Sequence, residues 1–279
     1  MSVFLSKLIP ARAAIPAVTR IANPGRIWKK LIYFILTTVA YLGSIGLIWQ
    51  LLIRLFRIPA YVLPTPTSVL FSLWELPRYY AVHAWITAQE AGLGILIGFA
   101  AGFLIGLVLR FGGWVGRLLN PLIVASQVFP KEALAPLFLI YFGFGILPKV
   151  VVSALICFFP VAINTYEGLK ATPAQHLRLF DVLGASAWQK FWRCSLPFSV
   201  RYVSASIRVC AVLGLIGAVV GEFVGASGGL GYVIRTAGSD IGTERVFAAL
   251  ILLGMIGAAF YGTALFIDQV LLKRFTQMT

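Results

Sequence analysis

Few residues in this chain have the chemistry to touch a solute, and all of them stand out against apolar surroundings. Lys131 and Glu132 interrupt "VFPKEALAPLFLIYFGFGILPK", and Glu222 is alone in "GAVVGEFVGASGGLGYVI". A charge at membrane depth is costly, so it marks either a pathway or a paired site. Lys131 and Glu132 therefore either face a wet cavity or form a local ion pair near an interface. Glu222 either contacts solute or makes a structural hydrogen bond. Phe129 and Tyr141, beside Phe138, Phe142 and Phe144, either pack or offer rings to a flat organic solute. Nothing comparable points to catalysis. His83 and His176 have no cysteine or carboxylate at ligand spacing, and Cys157, Cys194 and Cys210 are too scattered for a metal site. "GASGGLGYVI" lacks the lysine of a phosphate-binding loop. The expectation is a chain with no catalytic residues, no metal and no cofactor of its own.

A second set of residues is polar where the rest is greasy. "HLRLFDVLGASAWQKFWRCSLP" runs from His176 to Pro197 between two apolar stretches. Thr172 with Gln175, and Ser186 with Gln189, have capping-box spacing, and Pro173 suits a first helical position. Gly184 fits a left-handed helix end, and Pro197 is expected to stop the second helix. The spacing thus predicts a helix, a glycine hinge and a second helix. Leu177, Phe180 and Leu183 form the apolar side of the first helix, and Trp188, Phe191 and Trp192 that of the second. Such a pair either rests on lipid headgroups or docks into another protein.

The elements that must position these residues are membrane spans. The chain of 279 residues is 60% hydrophobic and only 11% charged, far from soluble averages. The run from Leu31 to Ile53 carries no charge and as a helix crosses a hydrocarbon core about 30 Å thick. Six spans are expected, at 31–54, 83–110, 117–143, 147–168, 200–226 and 245–271. The segment "RIPAYVLPTPTSVLFSLWELP" between the first two reads as an irregular stretch followed by a short amphipathic helix. Pro130 and Pro136 break the third span, which is tolerable only where freed carbonyls meet protein or water. Glycines 94, 98, 102 and 106 share one face of the second span and predict close helix packing.

The net charge of +14 follows from topology and does not call for nucleic acid. Lys7, Arg12, Arg20, Arg26, Lys29, Lys30, Arg110, Arg117, Lys170, Arg178, Lys190, Arg193, Arg201, Lys273 and Arg274 fall on one side of the six-span arrangement. Arg54, Arg57, Arg78, Lys149, Arg235 and Arg245 fall on the other. The positive-inside rule places both termini in the cytoplasm. Residues 1–30 then form a cytoplasmic tail, and residues 31–274 form the membrane domain with a cytoplasmic loop at 170–198.

That loop resembles the coupling loop of type I ABC transporter permeases, in which a glycine precedes a Leu-Pro pair at fixed distance. Gly184, Leu196 and Pro197 keep that register, whereas Arg178, Leu179 and Phe180 replace the usual acidic-Ala-Ala start and Cys194 replaces an aliphatic residue. "YVLPTPTSVL", "VFPKEALAPLFLIYFGFGILPK", "FFPVAINTYEGLK" and "VVGEFVGASGGLGYVI" resemble the nitrate/sulfonate/taurine branch of these permeases, so the likeness runs from about Pro59 to Arg274. It implies an all-α integral membrane protein with the six-helix type I ABC importer permease fold and cytoplasmic coupling helices.

It also implies partners: two copies of a separate ABC ATPase, a periplasmic or lipid-anchored binding protein, and a second copy of this chain in a bacterial inner membrane. Leu177, Phe180, Asp181, Leu183 and Gly184 would meet the ATPase, together with Ala185, Trp188, Phe191, Leu196 and Pro197. Lys131, Glu132, Glu222, Phe129 and Tyr141 remain the pathway candidates. The solute expected is a nitrate-, sulfonate- or taurine-type anion, or a pyrimidine- or flavin-type vitamin precursor. The rival is an ATP-independent carrier or channel, which has no use for a capped helix pair carrying Gly184 and Leu196–Pro197.

Overall fold

A computed structural model of the chain describes residues 24–276, and every regular element among them is helical. Of the N-terminal tail at 1–30, residues 1–23 lie outside the described residues. The chain divides into two compact units, one ending at Arg57 and one beginning at Ile58. The first contains helix α1 (Pro24–Phe56), which includes the chargeless run from Leu31.

The second unit opens with the expected irregular stretch and short helix. In α2 (Pro66–Glu75), Thr65 caps the start by accepting the Ser68 N–H at 3.2 Å, and Pro66 takes a position where no N–H is needed. Next come α3 (Pro77–Phe111) and α4 (Gly113–Ser126). A turn of 3₁₀ helix over Lys131–Leu134 leads into α5 (Ala135–Phe142), bent 90° from α4. The proline-driven break of the third span is thus present. After α6 (Ile146–Lys170) come the short α7 (Ala174–Val182) and α8 (Ala187–Lys190). A π-helical turn over Phe191–Ser195 joins α8 to α9 (Leu196–Gly225); α10 (Leu230–Ser239) and α11 (Thr243–Thr276) complete the unit.

Among the described residues, four helical stretches are long and apolar enough to cross a membrane: Pro77–Phe111, Ile146–Lys170, Ala187–Gly225 and Thr243–Lys273. The bent α4–α5 pair makes a fifth if its two halves are counted as one span.

Helix α6 is gripped from both sides, and glycine is the reason. A Cβ added at Gly98 would lie 2.8 Å from the Cys157 Cβ, and one at Gly102 would lie 2.8 Å from the Val161 Cβ. From the other side, a Cβ at Gly217 would sit 2.7 Å from the Ser153 Cα. Only bare backbone permits such approach, and the van der Waals attraction between helices this close exceeds what lipid chains offer. Between the two helices, the buried Cys157 and Cys210 thiols each donate to the other's carbonyl, at 3.7 and 3.6 Å. They behave as small core residues.

Two local expectations fail. Thr172 does not cap α7: its hydroxyl donates to the Leu169 carbonyl at 3.0 Å, and Pro173 occupies the cap position. The last carbonyls of α6 need donors, and the threonine supplies one. Pro197 does not stop a helix either, because Ala187–Gly225 is one run of 39 residues. The π turn shifts bonding so that the Leu196 N–H reaches the Phe191 carbonyl. Pro197, with no N–H to give, then falls in the first turn of α9, where none is required.

Candidate coupling surface and pathway residues

The loop between α6 and α9 is held by local motifs at every step. Gly184 has φ of +69°, and the Ala185 N–H donates to the Phe180 carbonyl at 2.9 Å while the Gly184 N–H donates to the Asp181 carbonyl at 3.0 Å. This double closure ends α7 as a Schellman motif, whose left-handed position favours a residue without a Cβ. Two residues on, the capping box forms as expected: Ser186 accepts the Gln189 N–H at 3.3 Å, and the Gln189 carboxamide accepts the Ser186 N–H at 2.8 Å. Lys190 spans the hinge to Asp181 at 2.7 Å. Both ion-pair partners are partly solvated, so the pair fixes geometry more than it adds stability.

Held this way, the loop presents apolar side chains to the outside. Leu183 is 71% exposed and Trp188 is 68% exposed, with Leu179 and Val182 also exposed beside them. Asp181 and Gly184 are exposed as well; Leu177, Phe180, Ala185, Phe191 and Leu196 are half-buried, and Pro197 is buried. Phe191 meets the Phe111 ring edge-on at 5.7 Å, which ties the π turn to the end of α3. Between them runs a groove of about 510 Å³ lined by Leu107, Val108, Phe111, Ala187, Trp188 and Phe191. An exposed apolar patch on a structured loop is the signature of a surface that another molecule covers.

The pathway candidates are not gathered in one place of common character. Lys131 donates to the Gln127 carbonyl at 3.3 Å and stands 4.7 Å from the Phe159 ring centroid; Glu132 is exposed. Phe129 and Tyr141 are exposed too, whereas Phe138 packs against the buried Ala135, Val152 and Ile156. Glu222 is wholly buried, and both of its oxygens are engaged. Oε1 accepts the Thr87 hydroxyl at 2.6 Å, and Oε2 accepts the Gly231 N–H.

Residues outside the set of pathway candidates complete this interior. Lys149, counted above among the outer-side charges, is buried and pairs with the equally buried Glu90 at 2.9 Å. Thr87 Oγ1 accepts the Leu230 N–H at 2.7 Å, and His83 Nδ1 accepts the Gly229 N–H at 3.0 Å. A signal was present: Glu90, Thr87 and His83 extend the glycine face of α3 by one, two and three turns, so they had to point at α6 and α9.

Comparison with known proteins adds identity to this geometry. Residues 94–276 match the family model described as the binding-protein-dependent transport system inner membrane component. The formylaminopyrimidine transport permease protein ThiX of Halalkalibacterium halodurans is 34% identical, over 81% of this chain and 90% of its own length. The putative aliphatic sulfonates transport permease protein SsuC of Bacillus subtilis is 32% identical, over 81% and 83%. A chain from inward-facing structures of the MetNI methionine ABC transporter superposes with a TM-score of 0.60 at 19% identity, covering 71% of this chain and 97% of that one. The last likeness is one of fold.

Proposed function

Because the chain belongs to the family of binding-protein-dependent transport inner membrane components, it is the membrane-spanning permease subunit of an ABC importer, and we propose that the 170–198 loop is where ATP hydrolysis reaches it. ATP is hydrolysed by a separate subunit. The observation that carries the proposal is the exposed Leu183–Trp188 surface, locked by a Schellman motif and a capping box and continuous with α9. In this reading Leu177, Phe180, Asp181, Leu183, Gly184, Ala185, Trp188 and Phe191 form the knob, while Leu196 and Pro197 set its exit into α9. Two ATPase subunits would grip the knobs of two copies of this chain. Closure of the ATPases would then rock the helices and expose the pathway to each side in turn.

The finer topology belongs to the same proposal. Six spans with both termini in the cytoplasm put the loop on the ATPase side, and the charge asymmetry supports that sense. The opposite face would receive a periplasmic or lipid-anchored binding protein, and the chain itself would carry no cofactor. For the solute, the exposed rings of Phe129 and Tyr141 beside the α4–α5 bend favour a flat pyrimidine-type compound over a sulfonate-type anion.

The test is a mild-detergent purification of the tagged chain, followed by ATP-dependent uptake in proteoliposomes with the binding protein present. An ATPase should co-purify and be lost when residues 172–197 are replaced. Uptake driven by an ion gradient in its absence would overturn the reading. Competition by hydroxymethyl- or formylamino-pyrimidines, set against alkyl sulfonates, decides the solute class.

A further inference from the structure

At the end of the bundle opposite the coupling surface, α10 begins in a way its own sequence does not account for. A helix leaves its first N–H groups without partners, and these are usually served by a local cap or by water. Here the Gly229, Leu230 and Gly231 N–H groups are all taken by side chains from other helices. His83 and Thr87 of α3 accept the first two, and Glu222 of α9 accepts the third. Thr87 in turn donates its hydroxyl to Glu222, which closes the set into a loop of hydrogen bonds. Glu222 and Thr87 have no exposed surface. The glycines are what let the backbone come so close. Gly229 has φ of +105°, and a Cβ at either Gly229 or Gly231 would collide with the Glu222 carboxylate.

The rest of α10 has a mixed set of neighbours. Leu230 and Val233 join Val69 of α2, Tyr80 of α3, and Ala248 and Ala249 of α11. Helix α10 therefore meets α3 and α9 of the α3–α6–α9 slab and shares a core with α2 and α11, while its polar start is tied to the slab alone. That slab includes the longest lever in the second unit. The run Ala187–Gly225 carries Trp188 at one end and Glu222 near the other, on the order of 50 Å apart at helical rise. Close packing of Gly217 on Ser153 and of Gly221 on Lys149 holds this lever against α6.

We propose that Glu222, Thr87 and His83 form a clasp that makes α10 follow α9, so that displacement received at the coupling surface moves the far end of the bundle directly. The three are positioning residues: they touch backbone of this chain and act through α10. The proposal rests on the coupling role assigned above. Without the clasp the start of α10 keeps only its four-residue connection to α9 and the Arg235 bond to the Ala226 carbonyl, and less of the displacement reaches the opposite face.

The experiment uses the complete transporter with its ATPase and binding protein in proteoliposomes. It compares Thr87→Val, Thr87→Ser and His83→Phe with the unmodified chain. Two quantities are read: the basal ATPase rate, and solute moved per ATP hydrolysed. Thr87→Val should keep basal hydrolysis within about twofold and lower solute per ATP about tenfold, the scale of one lost coupling contact. Thr87→Ser, which keeps the hydroxyl, should restore transport, and His83→Phe should give a smaller loss of the same kind. The clasp is overturned if Thr87→Val and His83→Phe leave solute per ATP unchanged. It is equally overturned if Thr87→Ser, with basal hydrolysis unchanged, loses as much solute per ATP as Thr87→Val, since the hydroxyl is then not what couples the two. An unmodified chain that retains no ATPase would instead sink the coupling role itself.

Discussion

The two ends of the Ala187–Gly225 run solve opposite problems. At the α8 end, the capping groups come from within a few positions of what they cap, and apolar side chains are left uncovered. At the Glu222 end, polar groups are buried and most of their partners come from far along the chain, with Thr87 and Glu222 separated by 135 positions. On the proposed reading, the surface that meets another protein is built so that it holds its shape alone, and the interior that moves as a block is built from contacts that exist only once the block is assembled.

The comparison can be broken most severely at Lys149. Truncating it to Ala leaves Glu90 as a buried unpaired charge, which should cost about 3–5 kcal/mol. Thermal denaturation of the detergent-solubilised transporter, followed by size-exclusion fluorescence, measures that loss. The double change Glu90→Gln with Lys149→Met should recover most of it, and failure to recover would mean that the pair does more than balance charge. Gly98→Ala comes next, at about 1–3 kcal/mol, because the added methyl meets Cys157 and backbone at sub-contact distance.

At the other end the same assays should respond differently. Gly184→Val places a β-branched residue at positive φ, a strain of about 1–2 kcal/mol confined to the loop. It should abolish ATP-coupled uptake while leaving membrane insertion and the unfolding midpoint of the spans nearly unchanged. Normal uptake by this variant would count against the coupling role. The smallest effect is expected for Lys190→Ala, within about 1 kcal/mol, since its pair with Asp181 is partly solvated.

What the sequence disclosed follows the same division. The capping box at Ser186, the left-handed Gly184 and the glycine face of α3 depend on neighbours within one or two turns, so their spacing announces them. The α4–α5 bend was legible for the same reason, because proline acts on its own turn. Thr172 and Pro197 misled where a second local demand won: a C-terminal carbonyl claimed the threonine, and a π turn absorbed the proline. The Lys149–Glu90 pair and the Glu222 network were not legible as contacts, because no local rule says which helices meet. Their residues were nonetheless marked by charge in apolar runs, and Glu222 was singled out with its structural hydrogen bond as one of two readings.

The Glu90–Lys149 pair also sets a problem of timing. The partners are 59 residues apart in the chain, with the α4–α5 bend synthesised between them. At a synthesis rate of about 5–20 residues per second, Glu90 waits on the order of 3–12 s for its lysine to be made. During that interval α3 must enter the bilayer, or linger beside the insertion machinery, on the strength of its apolar residues alone. Glycine dominates the face that will meet α6, so little of that strength can come from there. Leu93, Leu96, Ile97 and Leu104, which stay exposed on α3 in the finished fold, are then the residues that hold the helix in the membrane until α6 arrives.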